Sequence, residues 1–105
     1  MAFDSNPDTG LWVYYSGTVS GQPGGWWSAG GTSVAAPALA AIINSARRFA
    51  SSSTAELAFI YSNLGVPGDF FDEVRGICGP YSGYNAGPGW DFCTGVGSPR
   101  GLAGK

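Results

Sequence analysis

The chain has 105 residues, a net charge of −2 and no histidine. This length allows one domain at most, and the lack of histidine excludes a Ser-His-Asp triad, a Cys-His dyad and a histidine-ligated zinc site built from this chain alone. The five basic residues form no cluster beyond Arg47 and Arg48, so we expect no nucleic-acid partner. No apolar run approaches the roughly 20 residues that span a bilayer, so we expect no membrane partner.

Charged residues are scarce, at 11 % of the chain, against roughly 25 % in a typical globular protein. Hydrophobic residues make up 44 % of it, and 18 glycines and seven prolines indicate many turns. This composition predicts a chain that hides most of its surface, either in its own fold or against a partner.

The first region, residues 1–31, is rich in turns and contains one clear strand signal. Residues 11–15 (LWVYY) are aromatic or β-branched and follow the turn sequence NPDTG at 6–10. A second short strand is expected near residues 25–28. The segment 16–24 between them is interpreted as a hairpin connection or a surface loop.

Two helices are predicted over residues 32–65. In the first, residues 32–50, the spacing of Leu39, Ile42 and Ile43 predicts that these side chains are buried. In the second, Ser53 and Glu56 match a capping box, and apolar residues follow at helical spacing until Gly65 and Pro67 end the helix. Residues 66–105 are expected to be mostly loop.

The segment GGTSVAAP, residues 30–37, opens the first helix and contains the candidate nucleophile Ser33. A serine at a helix N-terminus lies near free backbone N–H groups and the positive end of the helix dipole, which can stabilise an oxyanion. The alternative is a structural one, because serine and threonine are the commonest N-cap residues.

The same segment resembles the nucleophile motif of subtilisin-like peptidases, and most closely that of the sedolisin (serine-carboxyl peptidase) family. Gly-Thr-Ser at 31–33 is followed by three small residues and a proline, and PDTG at 7–10, the strand at 11–15 and Gly25-Trp26 also resemble that family. The resemblance implies that Ser33 is the catalytic nucleophile. It implies an α/β fold, in which residues 1–105 form the C-terminal portion of a subtilisin-like, doubly wound parallel-sheet peptidase domain.

Sedolisins use a glutamate base in place of histidine, oriented by an aspartate, with another aspartate in the oxyanion hole. A carboxylate base suits acid pH, where histidine would be protonated. In the family these acids precede the serine segment, and here the only acids before Ser33 are Asp4 and Asp8, which match a different loop. The resemblance therefore implies part of an acid-acting serine endopeptidase, a hydrolase whose substrates are peptides or proteins. It also implies an extracellular or acidic compartment for the parent family.

We expect this chain alone to be inactive, since it lacks the upstream acids. The alternative function is non-catalytic: a calcium-stabilised interaction module derived from the same fold.

A second motif lies in the predicted loop region, 66–105. FFDE at 70–73, YNAGPGWD at 84–91 and CTGVGSP at 93–99 resemble the C-terminal calcium site of sedolisins. The resemblance implies a Ca²⁺ ion bound by the side chains of Asp72 and Asp91, by the backbone carbonyls of Glu73, Gly87 and Gly89, and by water. Oxygen ligands from an irregular loop are what calcium prefers. Glu73-Val74 departs from the family pattern, and the alternative is a turn-rich loop with two solvated aspartates.

Two further features stay open at the level of sequence. Cys78 and Cys93 flank this loop and could form a disulfide or remain free. The aromatic residues could form a core or an exposed surface. In a fragment, an exposed aromatic surface predicts self-association; the residues concerned are Trp12, Tyr14, Tyr15, Trp26, Trp27 and Trp90.

Overall fold

The computed structural model describes residues 1–105, which divide into two units: residues 3–38, and residues 1–2 together with 39–105. The helices and strands are, in chain order, β1 (Leu11–Tyr15), β2 (Gly25–Ala29), α1 (Thr32–Ala46), α2 (Ser53–Ser62), β3 (Phe70–Phe71) and β4 (Ser98–Pro99), with a 3₁₀ turn at Ser82–Tyr84 between β3 and β4. Helix α1 contains residues of both units.

The unit 3–38 is built on an antiparallel hairpin of β1 and β2, in which Leu11 pairs with Ala29 and Tyr15 with Gly25. Its connection ends in a two-residue turn at Ser20 and Gly21, where both φ angles are positive, at 50° and 80°. Positive φ at both central residues matches the right-handed twist of the flanking strands. The strand at 11–15 and the hairpin interpretation of 16–24 are confirmed.

Helix α1 begins at Thr32, as the sequence predicts, and ends at Ala46 rather than at residue 50. The chain leaves the helix at Arg47, whose φ is 53° and whose N–H donates to the carbonyl of Asn44 at 3.2 Å. Leu39, Ile42 and Ile43 are half-buried rather than fully buried. The three side chains are therefore partly covered, whereas the sequence predicted that they are buried.

Helix α2 confirms the second predicted helix and corrects its cap. The N-cap is Ser52, not Ser53, because the Ser52 hydroxyl accepts a hydrogen bond from the N–H of Ala55 at 3.1 Å. Glu56 consequently lies one position too far along for a capping box. Its carboxylate instead forms an ion pair with Lys105, at 2.5 Å.

The small sheet of β3 and β4 pairs Phe70 with Pro99 and Phe71 with Ser98, and so joins the two ends of the long loop. Gly97, just before β4, has a φ of 88°, and a Cβ there would collide with the carbonyl oxygen of Phe71. The close approach of the two strands therefore requires glycine at this position.

The hydrophobic core is small. Only Val34, Ile60 and Val96 are buried among the hydrophobic residues, whereas 22 large hydrophobic side chains are exposed. Both sheets are two-stranded and antiparallel, so the parallel sheet that the resemblance implies would need strands from outside this chain and stays a prediction. Neither helix has the length and hydropathy needed to cross a membrane.

Candidate catalytic serine and calcium loop

Ser33 lies in the first turn of α1 with its side chain exposed. The first helical hydrogen bonds run from the N–H groups of Val34 and Ala35 to the carbonyl of Gly31, at 2.9 and 3.2 Å. The Ser33 hydroxyl takes part in no hydrogen bond within the chain, so it does not cap the helix. The geometry therefore does not support the alternative that Ser33 is an N-cap residue.

Pro37 leaves the backbone carbonyl of Ser33 without its helical hydrogen bond. A residue at position 37 would normally donate its N–H to the carbonyl of residue 33, but proline has no N–H. Pro37 lies inside α1, so the Ser33 carbonyl lacks its helical donor. Of the N–H groups in the first turn, those of Val34 and Ala35 are bonded to Gly31, whereas those of Thr32 and Ser33 have no helical acceptor. The unpaired backbone groups nearest the hydroxyl are therefore these two N–H groups and the Ser33 carbonyl.

No base is bonded to this serine. The unit 3–38 contains two carboxylates, Asp4 and Asp8, and Asp4 Oδ1 accepts a hydrogen bond from the N–H of Asn6 at 2.9 Å. Neither carboxylate is hydrogen-bonded to Ser33. The candidate nucleophile therefore has unpaired backbone N–H groups near it but no hydrogen-bonded proton acceptor.

Asp91 is the most extensively bonded carboxylate in the candidate calcium loop. Its Oδ1 accepts from the N–H groups of Cys93 and Thr94, at 2.8 and 2.7 Å, and its Oδ2 accepts from the N–H of Gly87 at 3.0 Å. The Thr94 hydroxyl adds contacts of 3.2 and 3.1 Å to the two oxygens. Asp91 thus holds the tight turn 91–95 to the Gly87 segment from a buried position.

These donors stabilise the ionised form of Asp91. The Gly87 N–H and then the Thr94 N–H lower the pKa of this carboxyl below its usual value, more than burial raises it. Asp91 therefore stays charged at acid pH where an ordinary aspartate would begin to take up a proton.

Asp72 and Gly89 form the second contact within the predicted ligand set. The Gly89 N–H donates to Asp72 Oδ2 at 2.8 Å, and Gly89 has a φ of 78°. Both residues line a cavity of about 230 Å³ whose other lining residues are apolar or glycine. The other predicted ligands, Glu73, Gly87 and Asp91, do not line it. The second oxygen of Asp72 accepts no hydrogen bond.

Glu73 has a role that the sequence did not indicate. Its side chain accepts from the N–H and the hydroxyl of Ser98, at 3.2 and 2.6 Å. The resemblance implied only a carbonyl ligand at this position. The carboxylate instead ties the segment after β3 to the first residue of β4.

The predicted ligands fit calcium unequally. Asp72 fits in part, because one of its carboxylate oxygens accepts no hydrogen bond and the residue lines the cavity. Asp91 fits only if the ion replaces at least one of its present donors, because both of its oxygens are already bonded. No group of three or more His, Cys, Asp or Glu side chains is placed to hold a metal, but the expected site uses only two carboxylates and three carbonyls and would form no such group.

A disulfide closes the same loop. Cys78 and Cys93 are bonded, with their Cα atoms 5.7 Å apart and 15 positions apart in sequence. Asn85 supports the closure, because its Oδ1 accepts from the N–H of Cys78 at 3.3 Å. The sequence left open whether the two cysteines are bonded or free, and in the structure they form a disulfide.

An edge-to-face series of aromatic rings lies on the disulfide loop. Neighbouring centroids are 4.8 Å apart for Trp90 and Phe92, 5.1 Å for Phe92 and Tyr84, and 6.2 Å for Tyr84 and Tyr81. All four side chains are exposed. Such pairs stabilise the loop locally but leave its outer surface apolar.

Sequence reasoning missed Thr94 and Ser98 as partners of the acids. The signal for Thr94 was present, because an aspartate followed three residues later by threonine is a common side-chain-to-backbone turn. No local signal could have found Ser98, since it is 25 positions from Glu73.

Comparison of the chain with protein-family models, with curated proteins and with solved structures found no match.

Proposed function

We propose that this chain is the C-terminal part of the catalytic domain of a sedolisin-like acid serine endopeptidase, with Ser33 as nucleophile and residues 70–99 as its calcium loop. The observation that carries the proposal is the state of Ser33. Its hydroxyl is exposed in the first turn of a helix and is not used as a cap, and Gly31, two residues before it, has a φ of 89°. Those are the requirements for a serine that a substrate carbonyl can reach.

The reaction is acyl transfer. Ser33 Oγ attacks the carbonyl carbon of the scissile peptide bond, and its proton passes to a carboxylate base supplied from outside this chain. The negative charge on the carbonyl oxygen is met by N–H groups of the first turn of α1. The base then gives the proton to the leaving amine, and water hydrolyses the acyl-enzyme to regenerate the serine.

The calcium part of the proposal rests on Asp72, Asp91 and the two glycines that already contact them. Bound calcium would supply a fixed positive charge that joins the two halves of the loop. Asp72 would use its free oxygen, Asp91 would exchange a donor for the ion, and Glu73, Gly87 and Gly89 would present carbonyls.

The serine is tested by peptide hydrolysis. We expect the chain alone to cleave no peptide substrate between about pH 3 and 7, because it has no histidine and no carboxylate is hydrogen-bonded to Ser33. A longer polypeptide that supplies an upstream Glu/Asp pair should be active, lose activity in Ser33→Ala, and keep it in Ser45→Ala, a matched exposed serine of α1. Equal activity of Ser33→Ala and the parent would refute the assignment of the nucleophile.

The metal is tested by thermal unfolding of the chain. Binding to the folded form alone stabilises it by roughly 2.7 kcal/mol at a hundredfold excess over Kd, so calcium should raise Tm and chelator should lower it. Asp72→Asn should remove this difference, whereas Asp69→Asn, whose side chain forms no hydrogen bond, should keep it. A Tm that responds to neither calcium nor chelator would contradict the calcium proposal and leave the serine proposal standing.

One observation favours the second candidate function, a non-catalytic interaction module. The hairpin exposes seven large hydrophobic side chains, which are Leu11, Trp12, Val13, Tyr14, Tyr15, Trp26 and Trp27. The strand register places these side chains on both faces of the hairpin. Exposed apolar side chains invite association, so the chain should form dimers or larger species as its concentration rises. Light scattering that finds only monomer at high concentration would contradict this candidate.

A further inference from the structure

A cavity of about 510 Å³ lies in the unit 39–105, between the end of α1, the linker and α2. Its volume is in the range of small-molecule sites. The lining combines basic, aromatic and small residues, and consists of Arg47, Arg48, Phe49, Ala50, Ala55, Glu56, Phe59 and Lys105.

The cavity collects positive charge in an acidic chain. Three of the five basic residues of the chain line it, against one carboxylate, that of Glu56. Lys105 is buried and neutralises Glu56 at 2.5 Å, and this is the single ion pair of the structure. Arg47 and Arg48 are exposed and form no ion pair within the chain, so their charges are open to an anion from solution.

Aromatic rings form the apolar part of the lining. The guanidinium of Arg48 and the ammonium of Lys105 each lie 5.8 Å from the centroid of Phe59, within the range of cation–π attraction. Phe49 is exposed and lines the same cavity. A ligand with a flat apolar body could therefore pack on a ring while its charged end meets a guanidinium.

Arg47 occupies a backbone position that favours glycine. Its φ of 53° is in the left-handed region, where a residue with a Cβ is disfavoured by about 1–2 kcal/mol. Glycine would end the helix there at no such cost. The arginine side chain is thus present at the cavity although the backbone would be more stable without it, and strain of this kind is common at binding sites.

We propose that this cavity binds a small organic anion, a carboxylate or a phosphate attached to an aromatic or aliphatic body, with Arg47 and Arg48 holding the anionic group. A planar guanidinium donates two parallel hydrogen bonds to either group. Phe49 and Phe59 pack against the apolar body. The site uses neither Ser33 nor the calcium loop, so it is independent of the peptidase proposal.

Isothermal titration of the full chain tests the site with four probes: phenyl phosphate, phenylacetate, inorganic phosphate and the neutral benzyl alcohol. At low ionic strength we expect at least one of the two aromatic anions to bind, and to bind more weakly as salt is added. Inorganic phosphate should bind about tenfold more weakly than phenyl phosphate, because it lacks the apolar body. No binding by either aromatic anion at millimolar concentration would overturn the proposal.

Three variants separate the site from the fold. Arg47→Gly removes the guanidinium and relieves the backbone, so Tm should be unchanged or higher while the Kd of the anion rises about tenfold. Arg48→Gln should raise Kd by a similar factor. Arg75→Gln removes a charge outside the cavity and should leave Kd unchanged. Equal affinities of the parent, Arg47→Gly and Arg48→Gln, or an equal loss in Arg75→Gln, would overturn the proposal.

Discussion

The hairpin of β1 and β2 and the loop of residues 72–97 are ordered by different interactions. The hairpin is held by backbone pairing and exposes every side chain of β1. The loop has almost no regular structure, yet three carboxylates, a disulfide and a two-residue strand pair fix its path. A two-stranded hairpin is marginally stable in water unless something covers a face, whereas cross-links and charge-assisted hydrogen bonds need little buried apolar area.

The loop and the hairpin should differ in how much stability they lose when one side chain is replaced. The loop should be sensitive to changes of single side chains, because Asp91 alone accepts hydrogen bonds from three backbone N–H groups. The hairpin should respond weakly to any single side chain, because its backbone ladder survives most substitutions.

The largest expected effect is that of reducing the disulfide. Cys78 and Cys93 are 15 positions apart, and a loop of this length corresponds to about 3 kcal/mol in the chain-entropy model. Chemical denaturation with and without reductant measures the loss. The double variant Cys78→Ser with Cys93→Ser should match the reduced parent, and a denaturation midpoint that reductant leaves unchanged would contradict the loop's dependence on this bond.

Gly97→Ala should follow, with a loss of about 2 kcal/mol or more. The substitution places a Cβ against the carbonyl oxygen of Phe71 at a φ of 88°, so it combines a left-handed penalty with a steric one. Gly76→Ala is the matched control, because its Cβ would meet only the Ala86 Cβ at 3.5 Å. Denaturation curves of equal midpoint for the two variants would show that the β3–β4 approach is not a constraint.

Asp91→Asn tests the charge of the best-bonded carboxylate. We expect Tm to fall by several degrees at neutral pH, because the amide accepts fewer of the donated hydrogen bonds. The folded pKa of Asp91 is lowered, so its contribution is complete above the ordinary aspartate value of about 3.9 and is lost as pH falls through the lower folded value.

The two Tm curves should therefore run parallel above about pH 5 and converge in more acidic solution. Asp69→Asn is the control and should track the parent throughout. Curves for Asp91→Asn and the parent that stay equally separated down to the lowest pH would contradict the role of ionised Asp91.

The smallest expected effect is that of Tyr14→Ala in the hairpin. Tyr14 and Trp26 face each other across the strands with ring centroids 5.3 Å apart, and such a pair contributes about 1 kcal/mol. Trp12→Ala, on the same face but opposite Ser28, should cost less. Denaturation of both variants checks the order, and a larger loss for Trp12→Ala would indicate that a partner covers this face.

Local signals accounted for much of the secondary structure. The aromatic run at 11–15 predicted β1, and the small and apolar residues after Gly31 predicted α1. The helix boundaries depend on neighbouring residues that compete for the same role. Residues 51–53 are all serine, and Ser52 rather than Ser53 is the cap of α2. The end of α1 at Ala46 could not be predicted, since arginine is not a residue that usually adopts positive φ.

The sequence by itself determined the residue types at the two candidate sites, Ser33 at the start of a helix and Asp72 and Asp91 in a glycine-rich loop. Those features depend on local propensity and on residues a few positions apart. Only the tertiary structure decided which groups these residues bond. Asp91 turned to the amides of Gly87 and Thr94, Glu73 to Ser98, and Glu56 to Lys105, 49 positions away. A buried polar group must take the partner that the fold brings near it, and sequence spacing contains no record of that partner.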